Sequence, residues 1–153
     1  MIPELTLQRL REPDGGFTVD QTGSDITDGF AVAIPGEALA EPVERFLSDR
    51  FTFEHRIHRP GPSARPYWVT TEAHRARADA VEAWLERVHG SALVRGFVWS
   101  GAVGGWHDPS TGWALLEPVT IYSSEHAART MGRIRGQVAI ARLRPGPAEV
   151  IYL

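Results

Sequence analysis

The sequence predicts an α+β domain, a mostly antiparallel sheet with two to three helices packed on one face. The segment Asp108–Gly112 (DPSTG) reads as a hairpin turn: proline presets φ, the Asp and Ser side chains can bond nearby amides, and glycine accepts positive φ. Hairpin connections of this kind dominate the chain and make neighbouring strands antiparallel. Two segments, 72–89 and 125–134, carry apolar stripes at helical spacing, and each can cover a sheet.

In chain order, Leu5, Leu7 and Leu10 suggest a first strand ending at the turn Pro13–Gly16, with Phe17–Asp20 as its partner. Gly29–Ile34 (GFAVAI) reads as a strand stopped by Pro35 and Gly36. Val43, Phe46 and Leu47 have helical spacing, and Pro42 fits only a first turn, so a helix is expected from near Glu41. Phe51, Phe53, His55 and Ile57 alternate with polar residues as a half-buried strand, and Arg59–Pro66 (RPGPSARP) is a stiff exposed connection.

Tyr67–Thr70 reads as a strand whose successor Thr71 caps a helix over Glu72–His89, closed by Gly90. Ala92–Trp99 is expected to be a further strand. Trp106 before the hairpin turn and Trp113, Leu115 and Leu116 after it suit a pleated surface, while Pro118 calls for an edge position or a bulge. Ser123 and Ser124 before Glu125 predict a capped helix with the stripe Ala127, Ala128, Met131 and Ile134 and a C-cap at Gly136. Val138–Leu143 reads as a strand apolar on both faces, hence central. The segments 67–77 and 120–130 share a layout that suggests a duplicated unit, although generic strand-to-helix capping explains it more simply.

Bulk properties narrow the classes. A length of 153 residues with 42% hydrophobic content suits a single globular domain over 1–153, burying roughly 68 to 70% of its unfolded surface. Cysteine is absent, which excludes thiol catalysis, thiolate metal sites and disulfides. Net charge is −3, which argues against bulk attraction to nucleic acid or anionic membrane. No signal-peptide pattern is present and no apolar run approaches the ~20 residues of a membrane helix, so a soluble, cytoplasmic protein is expected. Every basic side chain is Arg and none is Lys, which a GC-rich coding genome accounts for, given how evenly the arginines are scattered.

The stretch GFTVDQTGSDITDGFAVAIPG (16–36), followed much later by WHDPSTG and the QVAIARL ending, resembles a group of uncharacterised small proteins from actinobacterial genomes, phages and plasmids. The matching positions are Gly16, Phe17, Val19, Thr22, Gly23, Thr27, Gly29 and Phe30, then Gly104, Trp106, Asp108, Thr111, Gly112, Leu116 and Glu117. Glu117 stands where that pattern has aspartate and Pro118 where it has valine. The resemblance implies a mobile-element setting and no particular mechanism.

Four residues carry candidate acid–base or metal-binding chemistry: His107, Asp108, Glu117 and His126 cluster around the hairpin and the following helix start. Against them, Asp108 before Pro109 is a standard turn residue, and alternate strand residues face opposite ways. His55 and His58 are three apart in a strand and cannot share a metal, so no metal site is expected. Arg56, His58, Arg59 and Arg65 can form an anion-binding edge. Trp106 and Trp113 read first as core aromatics, and Trp113 at the hairpin tip is the candidate anchor for a partner.

These residues assemble no nucleophile–base pair, no phosphate-cradling glycine loop and no metal spacing, so no cofactor is expected and the enzyme question stays open. The favoured reading is a protein-binding or regulatory module of mobile-element type, engaging a protein partner or copies of itself. The alternative is a hydrolase or transferase acting on an anionic, phosphate-bearing small molecule.

Overall fold

Strand β5, Trp113–Tyr122, is the spine of the molecule, and it changes partners halfway along. The computed structural model describes residues 2–47 and 66–153. Before the long helix these form α1 (Glu4–Leu7) with a 3-10 turn (Gln8–Arg11), β1 (Gly16–Val19), β2 (Phe30–Ala33), β3 (Leu39–Pro42) and α2 (Val43–Phe46). The remainder are α3 (Pro66–Gly90), α4 (Ala92–Arg95), β4 (Val103–Asp108), β5, α5 (Glu125–Ile134), β6 (Ala139–Arg142) and β7 (Glu149–Tyr152). The architecture is α+β, built on a curled antiparallel sheet of order β1-β4-β5-β2-β6-β7 with β3 also paired to β5.

Residues 113–118 of β5 pair with β4, residues 113–116 also pair with β3, and residues 119–122 pair with β2. β2 and β3 therefore follow one another along β5 and leave a gap between them at residues 34–38. Pro118 stands at that gap, where its carbonyl accepts the Ile34 amide at 2.8 Å. Amide and carbonyl of one strand residue point the same way, so the donor that proline lacks falls where no strand offers an acceptor. The expected edge or bulge is thus replaced by a break in the neighbouring edge.

Burial alternates strictly along β4, as a two-residue period requires. One set of side chains from β1, β4 and β5, including Phe17, Val19, Val103, Ala114 and Leu116, joins Leu7, Leu10 and the α3 residues Val81, Trp84, Leu85 and Val88 in the main core. Trp84 lies at the centre of that core and its indole N–H donates to the Glu37 carbonyl at 2.8 Å. A second cluster sets Ala128 of α5 against Val32, Ile140 and Ile151, with Phe30, Tyr122 and Met131 around it. Arg135, just after α5, donates to the carbonyls of Val32 and Ala33 and to the hydroxyls of Thr120 and Tyr122. Among the described residues no helix is long and apolar enough to cross a membrane.

Several local expectations are corrected. Residues Glu4–Arg11 are helical, because Leu7 and Leu10, three apart, share the buried side while Leu5 is 85% exposed. Leu39–Pro42 is a strand and only Val43–Phe46 is helical, since pairing with β5 outweighs the local helical spacing. The Tyr67–Thr70 strand does not exist: Pro66, acceptable in a first helical turn, opens one helix that runs through to Gly90. This also removes the shared strand-to-helix layout at 67–77 and 120–130. Ala92–Trp99 is a helical turn capped by the Ser91 hydroxyl and followed by a bend in which Val98 has φ of 52°. β6 is flanked on both sides, by β2 and by the unexpected strand β7, though it lies one place from the end of the sheet. The expected strand at Phe51–Ile57 lies outside the described residues.

The hairpin and the helix after it form as their local chemistry directs. Asp108 accepts from the amide and hydroxyl of Ser110, and Gly112 takes φ of 73°. The Ser124 hydroxyl accepts from the Ala127 amide to open α5, and Gly136 closes it at φ of 68°.

Candidate functional site

The concave side of the curled sheet holds the candidate site. Strand alternation sends Thr18 of β1, Gly104 and Trp106 of β4, Glu117 and Val119 of β5, Ala31 and Ala33 of β2, Ala139 and Ala141 of β6 and Val150 of β7 toward one another. They line a recess of about 100 Å³. The recess exists because its walls are largely alanine and glycine, whose side chains stop short of filling the curl.

Glu117, one of two acidic groups in its lining with Asp14, is placed opposite Gly104 in the β4–β5 ladder. By surface area the residue is half-buried, yet neighbouring atoms strip most water from its carboxyl, and this burial alone pushes its pKa up to about 7. Among the described residues no hydrogen bond or ion pair compensates it.

A wider groove of about 600 Å³ adjoins the recess, between residues 14–18 on one wall and residues 143–148 on the other. The two hollows share Asp14–Thr18, Pro147 and Ala148. Arg9 crosses one end of the groove to Asp25 with two hydrogen bonds of 2.9 Å, which hold the Asp25 carboxyl below its usual range. Asp14 accepts from the Trp106 indole N–H at 3.1 Å and the Tyr152 hydroxyl at 2.6 Å. The Trp106 and Tyr152 rings meet edge-on at 6.3 Å, so side chains link β7 to β4 and to the loop before β1. The bond to Asp14 pushes the Tyr152 phenol up to about 12.

The four clustered candidates are dispersed. His107 faces away from Glu117, only 9% exposed and with Nδ1 unpartnered, because adjacent strand positions alternate. Asp108 is engaged in its turn: desolvation opposes its ionisation, but hydrogen bonds from Ser110 and Thr111 prevail and hold its pKa low. His126 is exposed on α5, which packs against the side of β2 and β6 opposite the recess. Among the described residues no group of three or more metal-ligating side chains assembles.

Trp106 lines the recess, while Trp113 is 42% exposed at the end of the hairpin, paired with Pro42 and Asp108. Arg56, His58, Arg59 and Arg65 lie outside the described residues. Sequence reasoning missed Asp14 and the alanine walls. The available signal was the period-two alanines in FAVAI and VAIARL, which mark one small-residue face on each of two strands.

The segments 16–19 and 103–106 are neighbours in space, with Gly16 opposite Trp106 and Val19 opposite Val103. No family model, no curated protein and no solved structure matches the chain.

Proposed function

We propose that this protein binds a small organic molecule, which enters by the groove beside β1 and seats in the recess over Glu117. The observation that carries this reading is an unpartnered carboxyl set in a hollow walled by alanine and glycine and continuous in its lining with a 600 Å³ groove. Ligand sites are typically concave and mostly apolar, with a few polar groups to orient the ligand and volumes of roughly 300–1,000 Å³. A titratable group displaced by burial inside such a hollow is a further mark of one.

The lining favours binding over catalysis, because among the described residues no imidazole lines the recess and Thr18, its one hydroxyl side chain, has no base hydrogen-bonded to it. It also disfavours a phosphate-bearing substrate, since among the described residues the charged side chains of the recess, Asp14 and Glu117, are both acidic. The test is a ligand-observed NMR screen with chemically diverse small molecules, repeated on Ala139→Leu, which fills the recess. Hits that bind the native chain and not the variant support the reading; a screen without hits, or hits indifferent to the substitution, contradicts it.

A second reading, a protein-binding or regulatory module of phage or plasmid type, is favoured by the exposure of Trp113 at the hairpin. Light scattering of the native chain and of Trp113→Ala tests self-association through this residue. A mass above monomer that falls in the variant supports it, and a monomeric native chain counts against it.

A further inference from the structure

We infer that the ligand is an organic ammonium ion, a primary or secondary amine with an apolar body, whose nitrogen pairs with the Glu117 carboxylate at the floor of the recess. This rests on the small-molecule reading above and names the class of ligand.

The inference starts from charge. Among the described residues, the ionisable side chains lining the recess are Glu117 and Asp14, and no arginine or histidine joins them. Basic groups on the adjoining groove are Arg9, tied to Asp25, and Arg144, whose Nε–H donates to the Pro147 carbonyl. Glu12 is a further acid on that groove. Asp14, at the mouth shared by the two hollows, accepts hydrogen bonds from two neutral donors, Trp106 and Tyr152.

A cation is therefore drawn inward by two carboxylates, whereas an anion is opposed by both. The buried Glu117 carboxyl lacks the one partner that would make its ionisation favourable, and an ammonium N–H supplies it as a charge-assisted hydrogen bond. Trp106 offers an aromatic surface beside the path, which attracts cations. The walls of alanine and valine accept hydrocarbon, so the ligand joins a charged head to an apolar body.

The carboxyl, raised to about 7 by burial, must lose its proton to form this pair. Below that value amine binding releases one proton, and affinity weakens by about tenfold for each further pH unit of acidification. A neutral ligand that accepts a hydrogen bond from the protonated carboxyl behaves oppositely and weakens as pH rises.

Calorimetric titration of the full chain tests this with hexylamine and phenethylamine, the matched alcohols hexanol and phenethyl alcohol, and the carboxylates heptanoate and hydrocinnamate. The amines are expected to bind at least about tenfold more tightly than their alcohols at about pH 8. They should lose affinity on acidification and lose about tenfold or more in Glu117→Gln, whose folding is checked by circular dichroism. Alcohols that bind as well as amines, or amine binding that Glu117→Gln leaves unchanged, overturn the ammonium assignment; if Ala139→Leu still blocks that binding, the pocket reading stands without it. No binding by any of the six overturns the ammonium assignment, and the diverse screen then decides the pocket separately.

Discussion

Glu117 lies directly across the β4–β5 ladder from Gly104, so no side chain at the facing position covers its carboxyl. A Cβ on Gly104 would already stand 3.0 Å from the Val119 methyl group on the same side of the sheet. The hollow over the carboxyl is thus a property of the pairing register, and its consequences can be measured without a ligand.

Glu117 should make stability depend on pH. Burial raises its pKa from 4.5 to about 7, so the folded chain holds a proton that the unfolded chain has released. Stability then falls as pH rises from about 4.5 to about 7 and levels off above, at a cost on the order of 3 kcal/mol. Urea denaturation of Glu117→Gln is expected to show a gain of that order at about pH 8 and little change at about pH 4. A difference independent of pH would rule out the buried carboxyl as its source.

Gly105→Ala should be more damaging than Gly112→Ala, although both glycines sit in the same hairpin. At Gly105 a Cβ would fall 2.3 and 2.5 Å from ring carbons of the buried Phe17, an overlap expected to cost about 1–3 kcal/mol. At Gly112 nothing lies within 4 Å, and only the positive φ of 73° opposes alanine, at about 1 kcal/mol. Denaturant midpoints of the two variants check the order; equal losses would contradict the packing of Phe17 over Gly105.

The hairpin at 108–112 and helix α5 were legible because their signals are local: an Asx-type turn with glycine at positive φ, and a serine cap ahead of an apolar stripe. The segment Glu4–Arg11 was not, because Leu5, Leu7 and Leu10, two and three apart, fit either period, and Ala92–Arg95 is a single turn too short to show one. Pro66–Thr70 misled because β-branched and aromatic residues favour strands locally while the helix they belong to is long. Of the site, Glu117 was marked by its acidity, but its companions were assigned by closeness in sequence. Alternation turns His107 away, and the curl brings Ala31, Ala139 and Asp14 in from distant strands and loops, through pairings that no local signal encodes.

The bond between Tyr152 and Asp14 should be visible in the tyrosine spectrum. The phenol, raised to about 12 by its bond to Asp14, is expected to return toward 10 in Asp14→Asn. Ultraviolet difference titration of native chain and variant follows the ionisation, with Tyr152→Phe identifying the late component. A native chain whose three tyrosines all ionise together near 10 would contradict the link between β7 and the loop before β1.

The most direct measurement is a pH titration of the Glu117 side-chain carboxyl carbon by carbon-13 NMR in the full chain, assigned by comparison with Glu117→Gln. The expected midpoint is about 7 in the free protein, displaced downward when hexylamine is added. A midpoint in the ordinary carboxylate range, unmoved by the amine, would mean that Glu117 is solvated and that the hollow above it holds no ligand site.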